Sequence, residues 1–143
     1  MAWTYAGLAN SQIYLGDYEE ALGNQQKALG VLEKSYDVSH PDMATLYNNL
    51  AMTYMNLGDY ENALLFQQRT LESREIVYDP NHPLIALTHA NLAMVYRGLG
   101  KYKDALTAQQ KALVIVEMIY ESHPPSVVKL YNGLALIYQD MGY

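Results

Sequence analysis

Three kinds of side chain recur along this chain, one per segment, and each could carry chemistry. His40, His82 and His123 each precede a proline, and imidazole is the commonest metal ligand. Glu33, Glu75 and Glu117 are carboxylates of the kind that pair for acid–base work. Asn49 and Asn91 carry amides that both donate and accept, as reading a passing peptide backbone requires.

Geometry decides among them. Zinc holds its ligands within about 2.1 Å of one point, whereas residues placed once per helical unit are separated by packed helices about 8–10 Å apart. The histidine column cannot converge, so no metal site is expected. These residues read as loop and helix-start positions fixed by the following proline. A catalytic carboxylate pair must share one pocket, so the glutamates read as helix surface or loop-anchoring acceptors. No nucleophile motif, phosphate-cradling glycine loop or HExxH occurs; neither an enzyme nor a cofactor is expected. His89 stands in a column with Tyr5, Tyr47 and Tyr131 and is expected to pack.

The elements behind these columns follow from a repeat. Gly16, Gly58, Gly100 and Gly142 lie 42 residues apart, and so do Leu8, Leu50, Leu92 and Leu134, each followed by alanine. Ala21-Leu22, Ala63-Leu64 and Ala105-Leu106 keep the same shift, as do Gln25-Gln26, Gln67-Gln68 and Gln109-Gln110. Within 41–57, Leu46, Leu50, Tyr54 and Leu57 recur at spacings that form one helix face. Pro41 suits a first helical turn, and Gly58 suits the left-handed stop after the last. Asp59 then reads as the N-cap of a second helix carrying Tyr60, Ala63, Leu64, Leu71 and Tyr78. The same pattern predicts helices over 2–15 with 17–36, over 84–99 with 102–120, and a last one over 125–141. The expected fold is all-α, seven helices in antiparallel pairs, with approximate repeats 1–40, 41–82 and 83–124 forming one domain. Alanines at 51, 63, 93 and 105 would let paired axes approach to about 8 Å.

Composition limits the function classes. The chain has 143 residues, no cysteine, and 14 tyrosines against one tryptophan and one phenylalanine. Tyrosine suits thin layers in which one end of the side chain stays wet. Disulfides and cysteine-bound zinc are excluded. A net charge of −6 has the wrong sign for a nucleic-acid binder. The basic column Lys27, Arg69 and Lys111 sits among acidic residues such as Glu19, Glu61 and Asp104, a mixed solvated face. No apolar run reaches the roughly 20 residues of a membrane span, and no leader is seen. A cytoplasmic protein without membrane or nucleic-acid partners is expected.

The columns resemble tetratricopeptide repeats, most clearly in NLAMTYMNLGDYENAL (49–64) and NLAMVYRGLGKYKDAL (91–106). That family's usual period is about 34 residues. A period of 42 with His40-Pro41 and His82-Pro83 before the first helix, and Asn49-Leu50-Ala51 and Asn91-Leu92-Ala93 inside it, resembles the longer repeats of kinesin light chain and nephrocystin-type proteins. The resemblance implies a right-handed superhelical solenoid whose first helices line a concave groove for peptide segments of partner proteins. In kinesin light chain those are short cargo-adaptor segments. Asn49 and Asn91 occupy the family's first-helix asparagine position.

First-helix positions not spent on packing define the expected groove. In the second repeat they are Thr45, Asn48, Asn49, Met52, Met55 and Asn56, and in the third Leu87, Ala90, Asn91, Met94, Arg97 and Gly98. In the last helix they are Lys129, Asn132, Gly133, Leu136, Gln139 and Asp140. Asn48, Asn49, Met52, Asn56, Asn91, Met94, Arg97, Lys129 and Asn132 are the expected peptide contacts. Methionine offers deformable apolar contact. The same asparagines could instead bond a neighbouring repeat or merely face water, and Met52 and Met94 could pack between repeats. With Arg97 and Lys129 against Asp140, the groove is nearly neutral and suits an apolar or mixed peptide. Gly7 and Gly133 replace the asparagine in the outer repeats, so a carried-over binding role is weakest there.

The chain stops at Gly142-Tyr143, where another second helix would begin, and its last helix carries the stripe Leu130, Leu134, Ile137 and Tyr138. Two readings follow. An excised piece of a longer array is the expectation, and a spacer that self-associates through exposed end repeats is the alternative.

Overall fold

A computed structural model of the chain describes residues 2–120 and 125–143. It contains seven helices among those residues: α1 (Ala2–Leu15), α2 (Tyr18–Leu32), α3 (Pro41–Asn56), α4 (Tyr60–Val77), α5 (Pro83–Gly98), α6 (Tyr102–Ile119) and α7 (Pro125–Asp140). There are two compact units, residues 1–77 and 78–143. In the first, α1 packs on α2, α2 on α3 and α3 on α4; in the second, α5 packs on α6 and α6 on α7, and α5 also touches α7.

Each first helix stops the same way. Gly58 has φ +77°, a conformation that costs an L side chain roughly 1–2 kcal/mol. Its N–H donates to Met55 O at 3.0 Å, while Asp59 N–H reaches back to Tyr54 O at 2.9 Å. This paired closure is the Schellman motif, and it recurs at Gly16, Gly100 and Gly142. Entry to the second helix varies more. Asp59 accepts from Asn62 N–H at 3.1 Å, whereas Asp17 and Lys101 provide no side-chain cap.

In the first unit the core is thin and aromatic. Ala21, Leu50, Ala51 and Ala63 are buried, and the small residues leave room for Phe66, whose ring stacks on Tyr54 at 5.6 Å and tilts against Tyr47 at 6.1 Å. The Arg69 guanidinium covers Phe66 at 5.3 Å. Tyr54 is buried, yet its hydroxyl accepts from Gln26 Nε2 at 3.1 Å. One polar atom thus ties α3 to α2, which is what tyrosine adds to a layer two helices deep. In the second unit aliphatics replace the aromatics: Ile85, Leu92, Ala93, Ala105, Ala112 and Val116 are buried.

Some expected positions shift. Helix α2 ends at Leu32 rather than near 36, unwinding into turns after Gly30, a residue that lowers helix propensity by up to about 1 kcal/mol. Tyr78 lies just beyond α4. Leu57 is a C-cap and 37% exposed, because the stripe it was expected to extend ends one turn earlier. Leu8 is 49% exposed although Leu50 and Leu92 are buried; α1 buries only Ala2 and Ala9.

Candidate functional site

The three side-chain columns separate cleanly. His40 and His82 cap their helices: His40 Nδ1 accepts from Asp42 N–H at 3.2 Å and His82 Nδ1 from Leu84 N–H at 3.0 Å. Only an unprotonated Nδ1 can accept in this way. Each ring also stacks on the tyrosine that closes the preceding repeat, His40 on Tyr36 at 3.7 Å and His82 on Tyr78 at 4.2 Å. The histidine-proline pair therefore fastens a loop to a helix start. His123 lies outside the described residues. Glu117 accepts from the Tyr131 hydroxyl at 2.8 Å, which holds the Tyr131 phenol above its usual pKa. Glu33 and Glu75 are exposed. His89 is half-buried on α5, and burial, with a smaller contribution from Lys111, pushes its imidazole below the usual range.

A concavity lies within the second unit. It encloses about 620 Å³ between α5, α6 and α7. Leu87, Met94 and Leu136 form apolar walls, and Val116 and Ile119 close the α6 side. Met94 and Leu87 are 50% and 48% exposed, so neither is consumed by core packing. Asn91, Asn132 and Lys129 also line the cavity. An apolar trough with a few convergent polar groups has the general form of a recognition site.

Electrostatics inside this trough differ from a simple charge count. Arg97 Nε donates to Asp140 Oδ2, so α5 is ion-paired to α7. The one anion expected in the groove is thus spent on one of its two cations, while Lys129, an exposed side chain, has no ion pair among the described residues.

The expected contact residues divide by unit. Asn91, Met94, Arg97, Lys129 and Asn132 share the cavity. Asn48, Asn49, Met52 and Asn56 lie on α3 in the first unit. There Asn48 Oδ1 accepts from Gln67 Nε2 at 3.3 Å and Asn56 Nδ2 donates to Met52 O at 2.9 Å. Asn48 thus joins α3 to α4 within one repeat, whereas the alternative weighed against peptide contact was a bond to a neighbouring repeat or exposure to water. None of the groove positions named from the sequence is buried.

Gln109 was missed. It is 4% exposed on α6, lines the cavity, and donates through Nε2 to Leu130 O at 3.0 Å. A signal was present: Ala105, Gln109, Ala112 and Val116 trace a buried stripe at helical spacing, with an amide where an apolar residue belongs. Gly133 lies beneath that amide; a Cβ built there would sit 2.5 Å from Gln109 Nε2.

Helical hairpins in tandem, closed by one repeated glycine stop, define a helical-repeat protein. The tetratricopeptide repeat family model matches residues 1–76, 42–118 and 85–142, and the chain belongs to that family. Such repeats generally mediate protein–protein interactions and are typically non-enzymatic scaffolds. Solved structures agree on the fold. BtubC (BKLC) from P. vanneervenii superposes with a TM-score of 0.91 at 22% identity, over 99% of this chain and 56% of that one. A kinesin light chain-like protein of P. anserina with nearly identical TPR-like repeats superposes at 0.87 with 21% identity, over 97% of this chain and 66% of that one. The chain therefore spans less than two thirds of either structure. No curated protein matches its sequence. Among the described residues no helix is long and apolar enough to cross a membrane.

Proposed function

We propose that this chain is a cytoplasmic protein-interaction scaffold that takes a peptide segment of a partner protein in the trough between α5, α6 and α7. The observation that carries the reading is the 620 Å³ cavity, whose walls hold half-exposed Leu87, Met94 and Leu136 with asparagine amides at its edge. Apolar walls supply affinity through burial, and Asn91 and Asn132 supply donors and acceptors for a main chain. With Arg97 paired to Asp140, the trough favours an apolar or mixed segment over a densely charged one.

The test is a peptide-array screen with the whole chain, followed by affinity measurement on the best sequence. Met94→Glu puts a charge on the apolar wall and is expected to lower affinity at least tenfold with helicity unchanged, and Asn91→Ala to lower it several-fold. Unchanged affinity in Met94→Glu sinks the site assignment. A second reading, self-association, is favoured by α1, where Trp3, Tyr14 and Leu15 are 63%, 92% and 74% exposed. It predicts a concentration-dependent mass in solution that Met94→Glu leaves unaltered.

A further inference from the structure

The geometry points to Gln109 as a specificity residue of the trough, an acceptor that selects an inserted side chain with an apolar body and an O–H or N–H donor at its tip. This rests on the trough being the binding site. The argument starts from what a buried amide must do. Gln109 is almost wholly buried, and an amide in that position costs free energy wherever one of its groups lacks a partner. Its Nε2 is committed to Leu130 O at 3.0 Å, which settles the amide's orientation, since only the nitrogen can donate. The remaining atom, Oε1, makes no hydrogen bond among the described residues, and the residue lines the cavity. The trough thus contains a fixed acceptor among apolar walls.

Gly133 makes this possible. In the equivalent column α3 has Asn49 and α5 has Asn91. A side chain at 133 would begin 2.5 Å from Gln109 Nε2 and 3.6 Å from Oε1, so it would displace the amide or cover it. The glycine that breaks the asparagine column is what opens α7 toward Gln109. The same column of glutamines is used otherwise elsewhere: Gln67 Nε2 donates to Asn48 Oδ1.

Depth decides which part of a partner reaches the amide. Gln109 sits on α6, behind the α5 and α7 positions that form the exposed walls. A main chain passing over Asn91 and Asn132 stays at the rim, and a side chain must supply the donor. A purely aliphatic side chain would fill the trough and strip water from Oε1 without replacing its hydrogen bond, which is the basis of selectivity at a polar floor.

Phenol and toluene are suitable probes because they differ only in an O–H against a methyl. Titrated into the ¹⁵N-labelled whole chain, both are expected to shift the Gly133 amide resonance. The ratio of phenol to toluene affinity should be about fivefold higher in the wild type than in Gln109→Leu, the size of one ordinary hydrogen bond. Gly133→Ala, which pushes the amide aside, should lower the same ratio, and it provides the test if Gln109→Leu loses helicity. An unchanged ratio in a folded variant, with Gly133 still responding to both probes, overturns the role of Gln109 and leaves the trough as a binding site. If neither probe moves Gly133, this inference falls and the trough reading falls with it.

Discussion

Replacing Gln25 by leucine should stabilise the first unit. Gln25 is 1% exposed on α2, and neither its Nε2 nor its Oε1 has a hydrogen-bond partner among the described residues. An amide left so costs about 1–3 kcal/mol in desolvation. Leucine has nearly the volume of glutamine and a similar helix propensity, so the exchange opens no cavity and adds no helix term. The expected gain is about 1–2 kcal/mol, read from urea unfolding followed by circular dichroism, with slower hydrogen exchange at the α2 amides. The control is Gln67→Leu. That residue is as deeply buried, but its Nε2 donates to Asn48 at 3.3 Å, so the exchange removes a bond and should gain less or lose. If Gln25→Leu costs more than about 0.5 kcal/mol, the amide is satisfied after all and the reasoning fails.

Two further outcomes follow from the helix ends and from His89. Gly58→Ala should cost about 1–2 kcal/mol, because φ is +77° and the penalty is conformational; nothing lies within 4 Å of the added Cβ, so a larger loss on thermal unfolding would contradict that account. His89 is held below its usual range in the folded chain, by burial first and Lys111 second. As pH falls below the unfolded value of about 6.5, the unfolded state takes up a proton that the folded state resists, so stability is full above that pH and declines beneath it. The thermal midpoint of the wild type should therefore drop relative to His89→Tyr between pH 7.5 and 5.5; a constant difference between the two would refute it.

Most of the fold was legible because the chain states it repeatedly. One helix stop at Gly58 is a weak signal, but four glycines at one shift are not, and all four have positive φ. The alanines at 51, 63, 93 and 105 are buried for the same reason: each marks a close approach that a larger residue would force apart. Legibility failed where a position depends on what lies opposite rather than on its own column. Leu8 and Leu50 are one residue type at one register, yet α1 buries almost nothing while α3 buries eight residues. The column reports which face a residue occupies and says nothing of whether that face is covered.

The candidate site was harder to read for a related reason. Column logic ranks Asn49 and Asn91 alike and discounts Gly133, because a repeat is recognised by what its copies share. Binding depends on how the copies differ. Asn48 is engaged by Gln67, whereas Ala90 holds the same register in α5 and lines the cavity beside Asn91. Arg97 reads from its column as a groove cation, whereas its guanidinium is paired with Asp140, 43 residues away. Gly133 looked like decay of the pattern, yet it removes the side chain that would collide with Gln109. Each of these is a departure from the repeat. In a solenoid whose helices pack only on their neighbours, departures of this kind set what the trough presents, and hence they are the positions that can distinguish one partner from another.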